Sequence, residues 1–171
     1  MPEASTSRIV MLCTGNAARS VMGAVMLRAR HDGFDVSGAG THALEGLPMS
    51  GRTRAALSRH GLADMDHRSH QLVEADLQDA TLVVAFAPEH VAYVRRLHPE
   101  AANRTATLHH LVDSLPSGED SLTDRIAALD LGSVALDEAT EVVDPAGGDD
   151  MTFTECADEI SALIDRLLDR L

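Results

Sequence analysis

The first apolar run along the chain, Arg8-Ile9-Val10-Met11-Leu12, ends at a Gly-containing turn. Beyond it, Val21, Met22, Val25, Met26 and Leu27 recur at helical spacing until His31-Asp32-Gly33, which predicts strand, loop and helix in succession. Phe34 to Val36 reads as a second strand, Ser50 to His60 as a second helix closed by Gly61, and Ala80 to Ala87 as a buried, valine-rich strand. A short segment around His67 to Leu72 lies between them. Pro88 stands where a helix can begin, and Val91, Val94 and Leu97 give that helix a buried face until His98-Pro99 stops it. Pro116 to Thr140 carries Gly118, Gly132 and many acidic residues around one helical candidate, Leu122 to Leu129, and reads as an excursion over the surface. The last element, Thr152 to Leu171, places Phe153, Cys156, Ile160, Leu163, Ile164 and Leu167 on one face, after an acidic, threonine-bearing start. Strands and helices alternate, so the pattern argues for an α/β protein whose parallel sheet is covered by helices on both faces.

Length and composition narrow what such a fold can do. With 171 residues, 44% of them hydrophobic, residues 1–171 suffice for one buried core and are too few for two ordinary domains. Fourteen basic residues against 27 acidic ones give a formal net charge of −13, which repels nucleic acid backbones and anionic membranes. An anionic substrate must therefore be held by a local device. No tryptophan, one tyrosine and three phenylalanines leave little for stacking on bases. Two cysteines, Cys13 and Cys156, make no disulfide scaffold, and a reducing cytoplasm suits them best. Met1 to Ser7 lacks the charged and apolar regions of a leader, and no later apolar run approaches a membrane span, so neither export nor anchoring is expected. The nine histidines fall outside the spacings that bind zinc, so neither a metal nor a cofactor is implied.

The chemistry is concentrated in Cys13-Thr14-Gly15-Asn16-Ala17-Ala18-Arg19-Ser20, where the first strand gives way to the first helix. A loop at that junction can curl so that the N–H groups of Thr14 to Ala18 point inward, and the positive end of the helix dipole adds to them. Phosphate or a similar oxyanion fits such a cradle. Arg19 can offer a planar fork to two oxygens of a transferring phosphoryl group, a geometry that lysine does not match. Cys13 lies at the bottom of the cup, where the N–H groups, the dipole and Arg19 all favour the nucleophilic thiolate. An isolated Cys-to-Arg spacing is more often a buried cysteine and a surface charge; the apolar strand before it and the periodic helix after it reverse that balance. No Gly-Lys-Ser/Thr follows, so this is not a Walker loop.

In these residues the chain resembles the low-molecular-weight protein tyrosine phosphatases, whose signature is a Cys, five residues, an Arg and a Ser or Thr directly after the first strand. The resemblance continues through Gly38-Ala39-Gly40-Thr41, His67, and Asp144-Pro145 ahead of the last helix. It implies a single-domain, three-layer α/β/α fold on a mostly four-stranded parallel sheet. It also implies a phosphomonoester hydrolase in which Cys13 forms a phosphocysteine, Arg19 holds the phosphoryl oxygens and Asp144 serves as general acid and then base. Asn16, Ser20 and His67 would brace the loop and hydrogen-bond the thiolate. The partner would be a phosphorylated protein or a small phosphate ester, with no metal taking part.

Several positions depart from the family's habit. Ala18 replaces a second cysteine able to protect the nucleophile, and Gly38 replaces a serine of the loop-bracing network. Ala146-Gly147-Gly148 follows Asp144-Pro145 where the family usually has tyrosine, so an aromatic wall beside the substrate is absent there. Two other readings stay open: an arsenate reductase using an external thiol, since Cys156 falls on an apolar helix face, and an inactive module that binds phosphorylated ligands.

Overall fold

A computed structural model describes residues 6–171; residues 1–5, part of the Met1 to Ser7 stretch read as lacking a leader, lie outside the described residues. Strands β1 (Ser7–Cys13), β2 (Phe34–Gly40), β3 (Ala80–Ala85) and β4 (Thr105–Thr107) form one parallel sheet in the order β2-β1-β3-β4. Ile9 to Leu12 of β1 are wholly buried because both faces of the sheet are covered. Ile9, Met11 and Cys13 point into one core with α1 (Arg19–Arg30), α5 (Leu108–Ser114) and α7 (Asp150–Leu168). Val10 and Leu12 point into a second core with α3 (Glu74–Gln78) and α4 (Pro88–Leu97). These are the three layers expected. The larger core takes Ile160, Leu163, Ile164 and Leu167 from α7, each contributing about 1.5–3 kcal/mol by burial. Helix α2 (Gly51–Arg59) packs on α7.

The topology dictates where a ligand can bind. From β1 the chain moves outward to β2, then returns past β1 to β3, so a crevice opens at the carboxyl ends of β1 and β3. Cys13 is the last residue of β1 and lies in register with Gly40 of β2. The loop singled out above starts at that crevice.

Element limits differ from the sequence-based expectations where small residues hide the pattern. Strand β2 runs on to Gly40 because Gly38, Ala39 and Gly40 still pair with Met11, Leu12 and Cys13. Strand β3 stops at Ala85, and Phe86 turns away to donate its N–H to Leu12 O and accept from Val142 N. The fourth strand, Thr105-Ala106-Thr107, is too short and polar to be read in advance, and Thr107 Oγ1 caps the equally unread α5 by accepting from His110 N. Helix α7 begins at Asp150, two residues early, with Asp149 Oδ1 accepting from Thr152 N at 2.9 Å. The 116–140 stretch runs over the surface but is pinned through α6 (Leu122–Ala127), where Arg125 is buried and donates to Pro116 O, Asp120 O and Leu171 O. Among the described residues, no helix is long and apolar enough to cross a membrane.

Candidate active site

Between Cys13 and Arg19 the backbone curls through Asn16, which takes the left-handed conformation at φ 50°. Asparagine adopts this region more readily than most residues, and here its side chain is fully employed. Asn16 Nδ2 donates to Ser20 Oγ at 2.8 Å, and Asn16 Oδ1 accepts from His70 N at 3.0 Å. His67 Nε2 donates to Asn16 O at 2.9 Å, so His67 braces the loop backbone rather than contacting the thiol. Outer bonds complete the frame: Thr41 N to Cys13 O, His42 N to Thr14 O, and the Thr53 hydroxyl to Ala17 O.

Cys13 Sγ lies 2.9 Å from Ser20 Oγ. Because Asn16 Nδ2 can only donate, Ser20 Oγ accepts that bond and keeps its own proton for the sulfur, an arrangement that stabilises a thiolate. Ala18 stands at the N-cap of α1 without a side-chain cap, and no acidic residue occupies the first turn, so the helix end keeps its donors for an outside anion.

Arg19 is only 2% exposed, yet its charge has little fixed compensation. Nη1 donates to Val142 O at 3.0 Å, while Nη2 lies 3.4 Å from Thr14 Oγ1 and 3.3 Å from Asp144 Oδ2, a carboxylate half open to solvent. A buried guanidinium in this state favours a bound anion. Val142 ties the distant strand of chemistry to the sheet: its N–H donates to Phe86 O at 2.7 Å, just past β3, which delivers Asp144 to the mouth of the cup. Asp144 Oδ1 accepts from Ala146 N at 3.0 Å, leaving Oδ2 toward Arg19.

A cavity of about 400 Å³ opens over the loop and is lined by Cys13, Thr14, Gly15, Ala17, Ala18 and Arg19, with Ser50, Thr53, Asp144 and Ala146. Phe153 of α7 also lines it, so one aromatic ring is present although the residues after Pro145 supply none. Thus Cys13, Arg19, Asp144 and the loop residues expected to bind substrate converge, with Asn16 and Ser20 behind them. Sequence reasoning missed Val142, Phe153 and His90, whose Nε2 lies 2.9 Å from Thr14 Oγ1. His90 is buried, and burial first, then the Arg19 charge and His42, lowers its pKa from 6.5 to about 3. Cys156 is pushed the other way, up to about 12, chiefly by burial. Among the described residues, no three His, Cys, Asp or Glu side chains come together as metal ligands.

Comparison with known proteins agrees with this geometry. Residues 8–124 match the family model described as low molecular weight phosphotyrosine protein phosphatase. A protein-arginine-phosphatase from Geobacillus stearothermophilus is 32% identical over 165 residues, 96% of this chain and 95% of that one. A low molecular weight protein-tyrosine-phosphatase from Streptomyces coelicolor is 31% identical over 170 residues, covering 95% of this chain and 92% of its own length. The crystal structure of a low molecular weight protein tyrosine phosphatase from T. tengcongensis superposes with a TM-score of 0.76 at 30% identity, over 96% of this chain and 99% of the other. Match, identity and coverage together place the chain in the low molecular weight phosphotyrosine protein phosphatase family.

Proposed function

We propose that this phosphatase hydrolyses phosphomonoesters through a phosphocysteine. The observation that carries the reading is the buried Arg19 fork, held beside Cys13 and 3.3 Å from the Asp144 carboxylate. Cys13 thiolate attacks phosphorus, a P–S bond forms, the bond to the leaving oxygen breaks, and Asp144 gives that oxygen a proton. Water then attacks the phosphocysteine, Asp144 takes its proton, and inorganic phosphate leaves with the thiolate restored. In this reading the N–H groups of Thr14, Gly15, Asn16, Ala17 and Ala18, with Arg19, stabilise the charge on the transferring group.

The substrate is a phosphorylated protein side chain or a small phosphate ester, and a reducing cytoplasm suits an enzyme that depends on a free thiol. The two relatives are named for phosphoarginine and phosphotyrosine respectively. Ala146-Gly147-Gly148 supplies no ring to the mouth of the cup and leaves the aromatic contact there to Phe153 of α7, which favours selection by the phosphoryl group over selection by an aromatic wall. Cys156 does not support a self-contained arsenate reductase, since burial holds its thiol protonated to about pH 12. A mere binding module needs no acid at Asp144.

Turnover of para-nitrophenyl phosphate, with trapping of a phosphoenzyme, tests the proposal. Wild type should turn over and yield a trapped adduct at Cys13, and Cys13→Ser should abolish turnover. Retained turnover in Cys13→Ser would overturn the nucleophile. Thiol-dependent reduction of arsenate without phosphatase activity would favour the reductase.

A further inference from the structure

The buried histidine beside the cup has no part in the chemistry above. His90, in the first turn of α4, reaches Thr14 from 76 residues away, with Nε2 at 2.9 Å from Thr14 Oγ1. Its Nδ1 is buried and finds no hydrogen-bond partner among the described residues. Nε2 also lies 3.6 Å from the Glu89 carboxylate, and Arg19 and His42 are the other charged or titratable groups acting on the ring.

These contacts choose between the two neutral forms of the imidazole. With the proton on Nδ1, a buried donor would have no acceptor, and the Nε2 lone pair would face a carboxylate. With the proton on Nε2, the N–H points at Thr14 Oγ1 and Glu89, and only an acceptor lone pair is left unmet, the less costly orphan. Thr14 Oγ1 therefore receives one N–H from His90 and a second from Arg19 Nη2 at 3.4 Å. A hydroxyl has two acceptor lone pairs and one proton. With both lone pairs taken, the Thr14 proton is left to donate. Thr14 lines the cavity, and the guanidinium nitrogen that touches its hydroxyl also touches Asp144, so the free O–H belongs to the mouth of the cup.

We propose that His90 is a positioning residue that fixes the Thr14 hydroxyl as a hydrogen-bond donor into the cup, toward the phosphoryl group. The proposal rests on the reading of the cup as a phosphoryl site. The neutral ring is what the role requires, because an imidazolium here would confront Arg19 and lose the asymmetry between its two nitrogens.

A double-mutant cycle read as inhibition by orthovanadate, a phosphate-like oxyanion, tests the role. Thr14→Val should weaken vanadate inhibition roughly 10-fold or more, the loss of one bond to a charged group, and His90→Leu about 3- to 10-fold. The double variant should be no weaker than Thr14→Val alone, because His90 acts through that hydroxyl. His90→Gln, which can keep an N–H near the same place, should recover most of the loss. Additive losses, or no recovery with glutamine, overturn the positioning role. Should His90→Leu fail to fold, ring ¹⁵N shifts of the wild type at pH 7 decide: Nε2 protonated and Nδ1 bare is expected, and the reverse overturns the proposal. A wild type that binds no vanadate overturns the phosphoryl reading of the cup itself, whereas vanadate binding with an additive cycle overturns only the role of His90.

Discussion

Gly40→Ala is the sharpest test of how the sheet shapes the cup. A β-carbon at Gly40 would lie 2.9 Å from Asn16 N and 3.0 Å from Ala43 Cβ, and closer still to Thr14 O. The β2 backbone is held there on both sides: Gly40 N donates to His70 O, and Gly40 O accepts from Leu72 N, both at 2.8 Å. The strand cannot retreat, so the loop must. Restoring an ordinary contact of about 3.5 Å requires the Asn16 amide to withdraw by roughly 0.6 Å. Overpacking of this kind costs about 1–3 kcal/mol, which lowers the melting temperature by roughly 2–12 °C in a domain of this size. The larger effect should fall on catalysis, because the amides that move are those proposed to hold the phosphoryl oxygens. Misplacement by about 1 Å costs on the order of 10²-fold, so kcat/KM for para-nitrophenyl phosphate should fall roughly 10- to 100-fold. Gly51→Ala is the matched control, since a β-carbon there meets nothing within 4 Å among the described residues. If Gly40→Ala melts and turns over like Gly51→Ala, the close approach of β2 to the loop does not shape the site.

Arg19→Lys should lower kcat/KM by at least about 10²-fold, because a point charge cannot keep Val142 O, Asp144 and a phosphoryl oxygen in one plane; near-normal kinetics would remove the clamp. Asp144→Ala should slow phenyl and alkyl phosphates far more than para-nitrophenyl phosphate, within the roughly 10²–10⁴-fold range of general acids, and equal losses would rule out proton donation. His90 makes stability depend on pH: its folded pKa of about 3 lies below the unfolded 6.5, so the unfolded chain binds a proton that the native protein does not. Stability is full above pH 6.5 and declines toward pH 3, with a slope from this group of up to about 1.4 kcal/mol per pH unit. Urea denaturation at pH 7, 5.5 and 4.5 should show a shallower decline in His90→Gln, and identical slopes would mean that the ring titrates freely.

What could be read from the chain alone is what is local in it. Cys13 to Ser20 lies within one strand–loop–helix unit, so the spacing of apolar residues around it was enough to put Cys13 at the end of β1, Arg19 at the start of α1 and the loop between them. Asp144 was legible only through the family's motif, since an Asp-Pro pair by itself reads as a turn. The supports of the site are non-local: Arg19 finds Val142 O 123 residues away, and Thr14 finds His90 76 residues away. Nothing in the periodicity of α4 distinguishes His90 from another core-facing position. Strand β4 escaped for a different reason, because three residues, Thr105-Ala106-Thr107, hold neither an apolar run nor an alternation long enough to recognise. Gly38 and Gly40 also look alike in sequence, yet a β-carbon at Gly38 meets a side-chain atom, Asn16 Nδ2, at 2.9 Å, whereas at Gly40 the atoms it meets first are backbone.

The conflict between a formal charge of −13 and an anionic substrate is settled by burial. Exposed charges more than about 10 Å apart are largely screened at physiological salt, so most of the acidic surface is invisible to an anion already in the cup. Arg19 is 2% exposed and acts there at low effective dielectric, with helix α1 and the loop amides adding to its field. Asp144 is an acidic group in direct contact with Arg19, and in the proposed mechanism its charge is removed whenever it carries a proton. The surface charge should accordingly act on encounter more than on chemistry: added salt should raise kcat/KM for a dianionic substrate by easing its approach, while leaving kcat nearly unchanged. A kcat that rises in parallel with kcat/KM would show that the acidic surface reaches into the cup after all.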